Sequence, residues 1–165
     1  MVLLSAFSIM NINLADKLTE GQILPEMRAR NRWEAIEELT GQLVVAGRVG
    51  EAEREGVVTA LRKREQSMST GIGFGVGLPH ASTELVSELV CALGRSRTGI
   101  EFDALDGQLV RLVILLLVPK GQYQQHLHTV AHVARLLHNA DFRDALTQAP
   151  DAAAILNIVR HHALP

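Results

Sequence analysis

The chain has 165 residues, 47% of them apolar and 21% charged, which is long enough for a hydrophobic core without disulfides or metals. Its 16 Lys and Arg residues are interleaved with 18 Asp and Glu, for a net charge of −2; with no basic stripe, nucleic acid is excluded as an expected partner. Residues 1–165 are expected to form a single domain, with 1–12 a flexible or docking segment ahead of it.

That first segment, Met1 to Met10, is apolar but carries no basic residue, and it is too short to span a bilayer. Ile23 to Met27 is a short strand-like run. Trp33, Ile36, Leu39 and Leu43 recur at helical spacing, and Gly47 suits the helix exit. Glu51 to Gln66 reads as a second helix, with Val57 and Leu61 inward and a charged outer face.

Three strand-like segments follow, at 71–78, 86–93 and 109–118. The last is almost continuously apolar, as a central strand covered on both faces should be, and Pro119 ends it. Arg111 interrupts this run, so it is not a membrane span either. His126 to His138 is expected to be a helix, with Leu127, Val130, Ala134 and Leu137 on its packed side. A short helix starts near Asp141, and Asp151 is placed to cap a final helix carrying Ile155, Leu156 and Val159. This order predicts an α/β domain, a three-layer α/β/α sandwich with a mixed sheet and helices on both faces.

The lone cysteine, Cys91, lies in the apolar stretch Leu89-Val-Cys-Ala-Leu93 and is expected to be a small buried hydrophobe. A chain with one cysteine suits a reducing, cytoplasmic compartment.

The segment Ser69-Thr-Gly-Ile-Gly-Phe-Gly-Val-Gly-Leu-Pro-His-Ala81 has glycine at every second position from Gly71 to Gly77. It matches neither a Walker loop nor a dinucleotide fingerprint. Two readings stand: a bare strand face that lets a helix pack closely, or a strand that presents His80 as a nucleophile. Further on, His128 and His132 are four residues apart, a spacing that suits a metal on one helix face, but no third ligand sits at a matching position. His126 falls at a helix start, where phosphate is readily accommodated. Arg64, in Leu61-Arg-Lys-Arg-Glu65, is either part of a solvated helix end or a cation near His80.

Taken together, Arg64-Glu65, Ser69-Thr-Gly-Ile-Gly73, Leu78-Pro-His80, Gly99-Ile-Glu-Phe-Asp-Ala-Leu-Asp-Gly-Gln108, the strand ending at Pro119, and His126-Leu127 form a sequence that resembles the enzyme IIA domains of the bacterial phosphoenolpyruvate-dependent phosphotransferase system (PTS). The fructose/mannitol class matches, and the nitrogen-regulatory subgroup is nearest. The resemblance runs from about Leu14 to Val159. It implies that His80 takes a phosphoryl group, through Nε2, from the carrier protein HPr or a relative. The group then passes to a IIB partner or serves as a regulatory signal to a target protein.

The same resemblance places His126 beside that histidine and Arg64 near it. No cofactor, no metal and no membrane insertion are expected. Asp103, Asp106 and Gly107 carry over no catalytic role. The sequence departs from the family at Phe74, usually asparagine, and at Gly77, usually alanine. Phe74 is expected to remove a polar side chain close to the site, which leaves a catalytically silent partner-binding module of the same fold as the alternative. The glycines ahead of His80 are expected to give clearance for a protein partner.

Overall fold

The computed structural model describes residues 13–162. The N-terminal segment singled out above therefore lies outside the described residues. Six strands among them, β1 (Ile23–Leu24), β2 (Gly71–Gly73), β3 (Val76–Gly77), β4 (His80–Thr83), β5 (Val90–Ile100) and β6 (Val110–Pro119), form one mixed sheet in the order β1-β5-β6-β3-β2, with β4 also on β6. The helices are α1 (Arg32–Val45), α2 (Arg54–Ser67), α3 (Tyr123–His138), α4 (Ala140–Gln148) and α5 (Ala152–His162).

β6 is the centre, as its apolar sequence predicts. Leu112, Ile114, Leu116 and Val118 enter one core with Val133 and Leu137 of α3, Phe142 and Leu146 of α4, and Ile155 and Val159 of α5. Val113, Leu115 and Leu117 enter the other, with Ile36, Leu39 and Leu43 of α1 and Val57 and Leu61 of α2. The period-2 alternation of a strand thus feeds two helical layers, and the three-layer sandwich with a mixed sheet is the observed fold. β5 runs antiparallel to β6, whereas β3 and β4 run parallel to it.

Helix boundaries follow local chemistry. Asn31 accepts the Glu34 N–H at the start of α1, and Gly47 takes φ 74° just beyond its end. The second predicted helix begins instead as a 3-10 turn, Glu51–Glu53, before α2. Asp151 accepts the Ala154 N–H ahead of α5, as expected.

Several sequence expectations are corrected. The strand expected at 86–93 begins at Val90 and runs to Ile100, through the polar run Arg95-Ser-Arg-Thr98. Polarity hides it: Arg95 is only 1% exposed, and its guanidinium donates to the carbonyls of Pro25, Leu146, Thr147 and Ala149. Those groups lie after β1 and at the C-terminal end of α4, where helix carbonyls lack partners of their own.

The expected strand at 71–78 is a hairpin. Phe74 and Gly75 have φ 57° and 74°, the two left-handed residues of a type I′ turn between β2 and β3. The glycine faces are also not bare. A Cβ on Gly71 would lie 2.8 Å from the Ala104 Cα, and one on Gly77 would lie 2.8 Å from the Phe102 ring. The loop between β5 and β6 fills the space that was expected to admit a helix or a protein partner.

Leu127, placed on the packed side of its helix by periodicity, is 50% exposed. Cys91 is wholly buried, and burial pushes its thiol up to about 12, so it behaves as a small core residue.

Candidate functional site

His80 opens β4 where the parallel ladder on β6 is interrupted. Gly77 pairs with Val113 and His80 with Leu116, and Leu78-Pro79 bridges the gap between them. Pro79 has no N–H to donate, but its carbonyl accepts the Leu116 N–H at 3.0 Å, while the Leu78 N–H donates to Thr70. The backbone is thereby fixed on both sides of the break. The Leu78 carbonyl turns back to the histidine that follows and lies 2.8 Å from its Nδ1.

A carbonyl only accepts, so Nδ1 carries the proton and Nε2 keeps its lone pair. The ring is half-buried, and this burial is the main cause that lowers its pKa to about 4. The bond to Leu78 opposes the shift, and the charges of Arg64 and His126 add to it. His80 is therefore neutral near pH 7, with one nitrogen free to act as a nucleophile.

His126 lies in the first turns of α3, and its ring meets that of His80 edge to face, with centroids 5.2 Å apart and planes at 63°. Burial and then Arg64 lower its pKa as well. The N-cap residue of α3, Gln122, makes no side-chain capping bond, so the first-turn N–H groups have no side-chain acceptor there.

Arg64, near the end of α2, donates from Nη1 to the Met68 carbonyl at 3.0 Å and reaches the Ser67 hydroxyl at 3.4 Å. The fold thus gathers His80, His126 and Arg64, from a strand, a helix start and a helix end, into one cationic and imidazole-lined surface. Exposed apolar side chains adjoin it: Met68 is 65% exposed, as Leu127 is half exposed.

Two contributors carry no signal of their own in residue spacing. The Leu78 carbonyl is backbone. Glu65, only 1% exposed, accepts the Thr70 N–H at 2.9 Å and the Thr70 hydroxyl at 2.5 Å, with Arg32 3.6 Å away. It ties the end of α2 to the segment entering β2. Its pairing with Arg64 in the family motif was the available clue.

The remaining candidates lie apart. Among the described residues, no group of three or more His, Cys, Asp or Glu side chains is arranged to hold a metal. Asp106 is a loop residue that accepts the Phe74 and Gln108 N–H groups.

Phe74 is not close to the site. Its ring packs on His138 and Arg143, at the opposite end of α3 from His126, about 18 Å along the axis at the usual rise per residue. A cavity of about 550 Å³ lies on the α1 side, lined by Arg28, Trp33, Glu34 and Arg54 among others, and does not include His80.

Comparison with known proteins shows the family. Residues 16–162 match the family described as phosphoenolpyruvate-dependent sugar phosphotransferase system, EIIA 2, and the chain belongs to that family. The PTS system fructose-specific EIIA component of Haloferax volcanii is 38% identical over 125 residues, 76% of this chain and 80% of that protein. The nitrogen regulatory protein of Bradyrhizobium diazoefficiens is 34% identical over 146 residues, 88% of this chain and 94% of that one. The crystal structure of nitrogen regulatory protein IIA-Ntr from Neisseria meningitidis superposes with a TM-score of 0.79 at 28% identity, covering 88% of this chain and 98% of that one.

Proposed function

We propose that this protein is a PTS phosphocarrier in which His80 accepts a phosphoryl group from an HPr-type phosphohistidine and passes it to a IIB partner, or holds it as a regulatory signal. One observation carries the reading: the Nδ1–H of His80 is committed to the Leu78 carbonyl, which leaves Nε2 unprotonated on a ring whose pKa is about 4. The lone pair of Nε2 attacks phosphorus as the donor's N–P bond breaks, and the donor nitrogen leaves with its bonding electrons. No proton has to leave His80 first.

The arrested negative charge on the three phosphoryl oxygens then faces Arg64 and His126. Fixed donors aimed at such oxygens supply most of what an enzyme contributes to phosphoryl transfer. In this reading Arg64 releases the Met68 carbonyl to reach the phosphoryl group, and His126 sits against the oxygens. A shallow surface rimmed by Met68 and Leu127 suits a second reactant that is another protein's side chain.

The 34% identity to a nitrogen regulatory protein along most of both chains supports the regulatory use of the phosphorylated state, and the 38% identity to a fructose-specific EIIA component supports onward transfer to a IIB partner. A phosphoryl group adds roughly −1.5 to −2 charge at an interface, enough to exchange partners. The silent-module alternative rested on Phe74, which lies at the far end of α3. Among the described residues no helix is long and apolar enough to cross a membrane. A cytoplasmic setting belongs to the same proposal, because the donor phosphohistidine protein would have to reach His80.

Incubation with phosphoenolpyruvate, enzyme I and an HPr-type donor is expected to give acid-labile phosphorylation that His80→Ala abolishes. Undiminished labelling of the variant, or no labelling of the wild type with several donors, would overturn the proposal.

A further inference from the structure

Phe74 occupies a conformation that a bulky residue adopts at a cost, with φ 57°, and it is 61% exposed. Its ring is nonetheless engaged. The Arg143 guanidinium lies over it, 4.8 Å from the centroid, and the His138 ring meets it edge to face at 5.2 Å. The same guanidinium donates from Nη1 to the carbonyls of Leu137 and His138, at 2.9 and 2.8 Å, and so caps the last turn of α3. One side chain therefore joins the turn of the β2–β3 hairpin to the C-terminal end of α3.

Both bodies joined there carry a member of the candidate site at their other end. The chain runs from the hairpin through Val76 and Gly77 to His80, with β3 and β4 both laddered on β6, so His80 has no slack relative to Phe74. His126 sits near the N-terminal end of α3, which begins after Gly121 with φ 91° and has no side-chain cap. Packing of Val133 and Leu137 in the core holds the helix against the sheet. Placement along its own axis is fixed by whatever grips its ends, and among the described residues the side-chain hydrogen bonds that reach it from outside the helix come from Arg143. A helix is stiff, so a shift at one end appears at the other.

We propose that Phe74 and Arg143 are a positioning pair that fastens the far end of α3 to the hairpin and thereby sets the contact between the His80 and His126 rings. Its functional meaning rests on the carrier reading above. The aromatic ring repays the left-handed strain by holding the arginine that caps the helix.

The test uses the full chain and three single variants. Phe74→Asn keeps a residue that tolerates the left-handed turn and removes the ring. Phe74→Tyr keeps the ring. Arg143→Gln removes the cation. Side-chain NMR resonances of His80 and His126 are followed in the unphosphorylated protein, and kcat and KM for the donor in phosphoryl transfer. Phe74→Asn and Arg143→Gln are expected to shift both imidazole signals and to lower kcat about threefold or more, the scale of one lost cation–π contact, with the donor KM unchanged.

Phe74→Tyr is expected to keep wild-type values for both, and Phe74→Asn/Arg143→Gln together to do no worse than the poorer single variant. Wild-type imidazole signals and kcat in both ring-loss and cation-loss variants would overturn the proposal. So would equal shifts in Leu43→Ala, a core variant of the opposite layer. A wild type that no donor phosphorylates would remove the carrier reading, and the NMR arm would still decide whether the pair positions the rings.

Discussion

The rings of His80 and His126 stand edge to face at 5.2 Å, one anchored to the sheet and the other to a helix. Neither ring has a carboxylate within ion-pairing distance among the described residues. His126 can therefore respond to the oxygens that arrive on its neighbour. His126→Ala is expected to leave the phosphorylation site in place and to slow transfer on the order of a hundredfold, the usual loss for one preorganised donor. Rapid-quench transfer from the HPr-type donor measures it; an unchanged rate constant would remove His126 from the mechanism.

The His80 pKa of about 4 sets two pH dependences. The acceptor rate is expected to stay flat from pH 8 to about pH 5 and to fall below that, as Nε2 takes a proton. For stability, the folded-state pKa lies below the unfolded value of 6.5, so the unfolded chain binds more protons between the two values. The stabilisation is complete above pH 6.5 and declines as pH falls towards 4. Denaturant midpoints measured across this window should drop for the wild type and drop less for His80→Gln. Parallel curves would show that burial of this ring is not what sets its titration.

Glu65 is a buried charge whose partners are all specified. Glu65→Ala is expected to destabilise by about 3 kcal/mol, because it strands the Thr70 N–H and hydroxyl and leaves Arg32 without its carboxylate. Thr70→Val should cost about 1 kcal/mol, since it removes one hydroxyl bond and keeps the carboxylate paired. Urea denaturation distinguishes the two, and equal losses would contradict the assignment.

Alanine at position 77 is expected to be unfavourable here. A Cβ on Gly77 would approach the Phe102 ring to 2.8 Å, so Gly77→Ala alone should cost about 1–3 kcal/mol. In combination with Phe102→Leu the loss should be smaller than in either background alone predicts. Strict additivity of the two changes in thermal unfolding would mean the two positions do not compete for the same space.

Much of this architecture is legible in the sequence because apolar residues dominate it. The continuous run at β6 and the spacing of Ile36, Leu39 and Leu43 yield the central strand and α1 directly. β5 is less legible, because Arg95 looks like surface and is buried through four carbonyls that come from distant segments. β4 is too short, and too close to Pro79, to show a period.

The glycine run misleads for a different reason. Alternation resembles a strand, whereas positive φ at Phe74 and Gly75 makes a hairpin, and a phenylalanine gives no hint of a left-handed turn. Of the candidate site, His80, His126 and Arg64 are singled out by motif order alone. The Leu78 carbonyl that fixes the tautomer is backbone, and no side-chain pattern encodes it.

The acceptor opposite Nδ1 is a neutral amide dipole rather than a carboxylate. A carboxylate would stabilise the cationic ring formed when phosphorus is attached, and would deepen the free-energy well of the phosphorylated state. An amide does so less strongly, which leaves the group-transfer potential of the phosphohistidine high. Under the carrier reading, phosphoryl exchange with another histidine is then close to thermoneutral, and the occupancy of His80 follows the phosphorylation ratio of its donor pool in both directions.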